Sequence, residues 1–180
     1  MQEVIEELFL SQYSISLCPY YDILNEYRAI VLDGEVKLIY GKKRPLLKGD
    51  GVSNLLILAK NFNYDYFNNI KNQDFDINYI PKLNEEILLD FKFNLSKGSK
   101  AFFDINKDLE EKITELALSL SKNINFIFGS IDIIETTNHE LFMMEANSVV
   151  MMSNIINQKE NGKDLAYNIY KEAIIKMFEV

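Results

Sequence analysis

The 180-residue chain carries 27 acidic against 19 basic side chains, a formal charge of −8, and 48% of it is hydrophobic. That balance suits one domain, residues 1–180, with a sizeable core, and it excludes a disordered segment and a binder of nucleic acid, since no net positive field draws a phosphate backbone. The single cysteine, Cys18, cannot form an internal disulfide, and with no signal peptide and no apolar run near 18 residues a cytoplasmic protein with no membrane partner is expected.

In chain order, Glu3 to Leu10 reads as the end of a helix, followed by a short strand at Tyr13 to Leu17 and a break at Pro19. Glu26 to Leu32 and Glu35 to Tyr40 are strands joined by Asp33-Gly34, a type I′ signal that pairs Leu32 with Glu35. A regular ladder from that turn sets Arg28 opposite Ile39 and on one face with Lys37 and Lys43. Tyr27, Ala29, Val31, Val36, Leu38 and Tyr40 then form the face to bury. Pro45 stops the second strand, and Gly49-Asp50-Gly51 turns into a helix from Ser53 to about Asn61. Between Asn61 and Asn78 a short helix among loops is expected. Ile87 to Phe93 alternates as a strand, and Asn94 to Gly98 reads as a turn. Leu109, Ile113, Leu116, Ala117 and Leu120 recur at helical spacing, with Asn106 or Asp108 as caps, so Lys107 to Lys122 is a helix. A last helix runs from about Lys163 to Phe178. Hairpins with an amphipathic helix packed on them, and no βαβ alternation, give an α+β class with an antiparallel sheet.

The chemistry concentrates between Gly129 and Ser148. Two β-rich runs, Phe126 to Thr136 and Leu141 to Ser148, flank Thr137-Asn138-His139-Glu140. A two-residue turn at Asn138-His139 sets Asp132 opposite Glu145, with Asn147 projecting from the same face. Two carboxylates at roughly 5 Å between Cβ atoms repel unless a cation sits between them, and hard oxygen donors suit Mg2+ or Mn2+. A three-residue loop would move Glu145 off the face of Asp132. The plainer alternative is an edge hairpin with solvated acids. Met143 shares the Glu145 face in this register, while Ile131, Ile133, Phe142 and Met144 point under the Lys107 helix. His139, the only histidine, lies in the turn, which argues against a His-based triad or zinc site.

Asn25-Glu-Tyr-Arg28, Lys43-Arg-Pro45, Gly49-Asp-Gly51, Ile80-Pro-Lys-Leu-Asn-Glu85, Asn94-Leu-Ser-Lys-Gly98, Gly129-Ser-Ile-Asp132 and Glu145-Ala-Asn-Ser148 stand in the order and spacing of the ATP-grasp carboxylate–amine ligases. From about Tyr13 onward the chain resembles their C-terminal region, in the branch of cyanophycin synthetase, the bifunctional glutathione synthetases and the ribosomal-protein glutamate ligases. The resemblance implies ATP and Mg2+ or Mn2+ as cofactors, held by Asp132, Glu145 and Asn147. It also implies an acyl-phosphate route from a small-molecule or peptide carboxylate and an amine to an amide. Arg28 and Arg44 match positions that face phosphates or the acyl phosphate. Arg28 has a plain alternative, an exposed salt bridge with Glu26 or Glu35. Ser16, Leu17 and Cys18 match the adenine hinge, Met143 suits the adenine ring, and Lys43 and Asn94 complete the matching set.

Departures are equally specific. Many relatives place an arginine where this chain has Ser130, and Val149 to Ser153 replaces a glycine-containing loop. The N-terminal substrate domain and the glycine-rich lid of full ligases have no counterpart in this stretch, so a catalytic subdomain incomplete without them is expected. A noncatalytic Mg-nucleotide or oligomerisation module derived from such a ligase, and a metal-independent interaction domain, remain as alternatives.

Overall fold

The structure, a computed structural model, describes residues 2–11, 14, 18–62, 75–90, 92–95 and 99–178. Its frame is a five-stranded antiparallel sheet in the order β5-β2-β1-β6-β7, built from β1 (Ile23–Leu32), β2 (Glu35–Lys43), β5 (Lys100–Phe102), β6 (Phe128–Thr136) and β7 (Leu141–Asn147). A separate two-stranded sheet pairs β3 (Leu46–Lys48) with β4 (Glu86–Leu88). The helices are α1 (Gln2–Ser11), α2 (Leu55–Phe62), α3 (Lys107–Asn123), α4 (Ser153–Gln158) and α5 (Gly162–Phe178). The α+β class is as expected. Three short elements, β3, β5 and α4, are too brief to leave a periodic trace, and β4 covers only part of the strand expected from Ile87 to Phe93. The strand expected at Tyr13 to Leu17 lies outside the described residues apart from Ser14, and so does the middle of Asn61 to Asn78, at 63–74.

Asp33 and Gly34 both have positive φ, 49° and 76°, and Leu32 pairs with Glu35, as the type I′ turn requires. Further along, the ladder departs from a regular one. Ile30 pairs with Leu38 but Val31 with Val36, leaving Lys37 as an extra residue, a β-bulge. One extra residue flips every later side chain of β2 relative to β1. Arg28 therefore opposes Tyr40 rather than Ile39, and Lys42 rather than Lys43 stands on its face.

Both faces of the sheet are covered. On one, Tyr27, Ala29, Val31, Ile39, Ile131 and Ile133 pack against Ile113 and Ala117 of α3. The Asn106 carboxamide caps that helix, accepting from the amides of Asp108 (3.0 Å) and Leu109 (3.4 Å). On the other, Ile30 and Tyr40 pack against Val150, Met152, Ile155 of α4 and Ala166 and Ile169 of α5. Tyr40 and its partly buried neighbour Leu38 thus leave the face expected from the regular ladder. A third cluster, Leu47, Leu55, Ala59 and Leu89, holds β3, β4 and α2 together. The helices of the second face cover only the end of the sheet near Ile30. The other end, around Glu26, Arg28 and Asp132, opens into a cleft.

Candidate functional site

The hairpin β6–β7 brings Asp132 and Glu145 opposite each other, with Ser130 opposite Asn147. The route to that register differs from the expected one. Thr136 donates its amide to the Glu140 carbonyl (2.9 Å), which closes a three-residue loop at Thr137-Asn138-His139 with His139 at φ 62°. Near the turn, Ile133 pairs with Met143 and Glu135 with Leu141, one residue off the expected ladder. Met144 then stands as an extra residue, and this bulge restores the pairing of Asp132 with Glu145. The bulge also re-aims its neighbours. Met144, expected under the helix, is 48% exposed and walls the cleft beside Glu145. Met143 faces a second cavity instead, and Phe142 stacks on Tyr21 with ring centroids 4.8 Å apart.

Asp132 is 1% exposed and sits at the centre of an ion network. Its two oxygens accept from Nε and Nη2 of Arg28, each at 2.5 Å, and Oδ2 also accepts from Lys42 Nζ at 3.1 Å. Lys42 in turn donates to the buried carboxylate of Glu26. Burial alone would raise the Asp132 carboxyl, but Arg28 and Lys42 outweigh it and hold it below the usual range. For Glu26, burial wins over Lys42 and the carboxyl is pushed up. Arg28 therefore pairs with Asp132, not with Glu26 or Glu35.

Lys42 and Glu26 are the site residues that sequence reasoning missed. The charges gave no signal for Lys42, because the regular ladder already put Lys43 on the Arg28 face and only the bulge at Lys37 exchanges the two. Lys43, the residue expected there, points to the α3 face, its ammonium 5.4 Å from the Phe102 ring centroid. Arg44 is also apart from Asp132. Its Nη2 donates to the Ile23 carbonyl (3.0 Å) and its guanidinium lies 4.6 Å from the Phe93 ring centroid.

A cleft of about 500 Å³ is lined by Glu26, Arg28, Lys42, Asp132, Glu145 and Asn94, among others. Ile23 and Met144 also line a second cavity of about 850 Å³, whose walls include Phe142, Met143, Tyr21 and Cys18. One cavity is ionic and the other largely aromatic and thioether, and they share a wall. Arg44 lines the second. Ser16 and Leu17 lie outside the described residues, while Cys18 is exposed at the rim.

The donor set fits a hard cation. Asp132 accepts three hydrogen bonds, and a carboxylate has about four acceptor positions, so one stays open. Glu145 is exposed and accepts one bond, from Asn147 Nδ2 at 2.9 Å, which leaves most of its acceptor capacity facing the cleft. Among the described residues no three His, Cys, Asp or Glu side chains converge, and the carboxamide beside the pair is that of Asn147, bonded to Glu145.

Residues 84–173, half of the chain, match the family profile described as the RimK-like ATP-grasp domain. A bifunctional glutathione synthetase from Pasteurella multocida superposes with a TM-score of 0.57 at 18% identity, over 84% of this chain and 25% of that one. The D-alanine–D-alanine ligase of Bacillus anthracis gives a TM-score of 0.51 at 12% identity, over 98% and 47%. At these identities the likeness is one of fold, and the chain spans between a quarter and a half of the length of these proteins. A comparison with curated protein sequences gives no match.

Proposed function

The chain belongs to the RimK-like ATP-grasp family, a family of ATP-dependent ligases, and from that premise we propose that residues 1–180 form the cation- and nucleotide-binding unit of a carboxylate–amine ligase. The observation that carries the reading is the Asp132–Glu145 pair, flanked by Arg28 and Lys42, at the wall of an ionic cleft that adjoins an aromatic cavity. Such a pair of cavities suits a ligand with a polyanionic end and a flat ring. Tyr21, Phe142 and Met143 would take the ring, a polarizable thioether and aromatic faces being suited to it. Cys18 stands at the rim where hinge backbone would read the ring edge.

Asp132, Glu145 and Asn147 would hold Mg2+ or Mn2+, which when bound offsets the charge of the nucleotide phosphates during phosphoryl transfer. In the proposed reaction a substrate carboxylate oxygen attacks the terminal phosphorus and ADP leaves. The amine nitrogen then attacks the acyl phosphate carbonyl, phosphate leaves, and the amine proton is lost. Arg28, with its forked donors, and Lys42 keep Asp132 ionised and oriented, and with Lys92 they are the cations that line the cleft. Arg44, facing the other cavity, is better placed to bind ligand than to contact a reacting phosphate. Asn94 lines the ionic cleft and would contact its anionic end, whereas Lys43 has no place in this scheme.

A second reading has one observation in its favour: Arg28 and Lys42 are both engaged by acids, as in a module that binds the nucleotide without turning it over. Phosphate release on mixing this chain with ATP and pooled amino acids would overturn the second reading, whereas its absence is what a catalytic unit incomplete by itself predicts as well.

Calorimetry with ATP, with and without Mg2+, tests the binding site itself. Glu145→Gln is the informative variant because Glu145 is exposed. Asp132→Asn would take from Arg28 its acidic partner and from Lys42 one of two, and so confuse binding with folding. We expect magnesium-dependent nucleotide binding in the wild type, weakened about ten-fold or more in Glu145→Gln, about 1.4 kcal/mol. Equal affinity in the two would overturn the site.

A further inference from the structure

Ser130 is 1% exposed, and its Oγ is one of two buried side-chain atoms among the described residues with no hydrogen-bond partner. A buried hydroxyl left in that state costs about 1–3 kcal/mol, so a position that keeps one calls for a partner in some state of the molecule. The register names the candidates. On one side Ser130 opposes Ile30, which is apolar, and on the other it opposes Asn147. Directly paired side chains have Cβ atoms about 4.5–5.5 Å apart, within reach of a carboxamide.

The Asn147 carboxamide supplies the other half. Its Nδ2 donates to Glu145 Oε1 (2.9 Å), so the two side chains satisfy each other. With a cation between them, both must turn oxygen toward it, and the Nδ2–H bonds then need a different acceptor. We propose that Ser130 is a positioning residue: in the cation-loaded state its hydroxyl accepts from Asn147 Nδ2 and holds Asn147 Oδ1 toward the ion. This rests on the cation site proposed above. It gives Ser130, two residues before Asp132 on the same face, a role in orienting a ligand rather than in contacting substrate.

The test is a titration of the full chain with Mn2+ in the presence of ADP, read by the signal of free Mn2+, together with thermal melting in the absence of metal. Ser130→Ala is expected to bind Mn2+ about five-fold more weakly, the worth of one hydrogen bond. Its metal-free Tm is expected to be unchanged or higher, because the variant sheds an unpartnered hydroxyl. That opposed pair of readouts excludes a merely structural serine. Glu145→Gln serves as the control. If Glu145→Gln weakens Mn2+ and Ser130→Ala does not, this inference fails and the cation site stands. If Ser130→Ala loses Tm and affinity together, Ser130 supports the strand and the inference also fails. Wild-type protein that takes up no Mn2+, or a Glu145→Gln variant with wild-type affinity, overturns both.

Discussion

Glu135 shows how one buried carboxylate fixes the turn end of the hairpin. It accepts from Asn25 Nδ2 (2.8 Å) and the Tyr27 hydroxyl (2.9 Å), and His139 Nδ1 lies 2.7 Å from its other oxygen. Burial would raise this carboxyl, yet Asn25, His139 and Tyr27 together hold it below the usual range. Burial and Glu135 push the Tyr27 hydroxyl up. A depressed carboxylate contributes stability above its unfolded pKa, about 4.3, and loses it as pH falls through the lower folded value. Glu135→Gln is therefore expected to cost about 2 kcal/mol in urea unfolding at neutral pH. The gap to wild type should narrow between about pH 5 and about pH 3. A gap of constant size over that range would contradict the network.

Elements meet at two glycines that differ in what stands over them. A Cβ at Gly41 would run into the Phe102 ring, whose side chain can swing aside, since Phe102 is only partly buried on a short edge strand. A Cβ at Gly129 would meet the Phe126 ring and the backbone carbonyl of Asn147, which cannot move without displacing β7. Gly129→Ala should thus cost about 3 kcal/mol in urea unfolding and Gly41→Ala about 1 kcal/mol, both within the range for overpacking. The reverse order would contradict the packing described.

Asp33-Gly34 announced its turn in two residues, and the spacing of Leu109, Ile113 and Ala117 announced α3, because both signals are local. The pairing of Asp132 with Glu145 was also legible, although by two offsets that cancel: the loop is one residue longer than expected and Met144 bulges to compensate. Bulges at Lys37 and Met144 carry no glycine or proline to mark them, so they are set by packing across the sheet rather than by local preference. For that reason Lys42 was hidden, Lys43 was placed on the wrong face, and Met144 was expected under the helix rather than at the cleft.

Across the whole molecule the sheet serves two ends. One face is sealed by α3, and the other is divided between a core under α4 and α5 and an open cleft above Arg28 and Asp132. Asp132 stands on the cleft face, and its pairing across the hairpin sets Glu145 beside it in the wall of the cleft. Acidic groups elsewhere, such as Asp50, whose carboxyl is lowered to about 2 by Ser53 and the amides of Ser53 and Val52, are satisfied within their own turn. A divalent ion should therefore discriminate between them. The most direct measurement is paramagnetic broadening of backbone amide signals by Mn2+ in the presence of ADP, accessible in a 21.0 kDa chain. Broadening that begins at Asp132, Glu145 and Asn147 and spreads to Arg28 is the expected result. Broadening centred on Asp50 or another acidic turn, or none that is localised, would contradict the account.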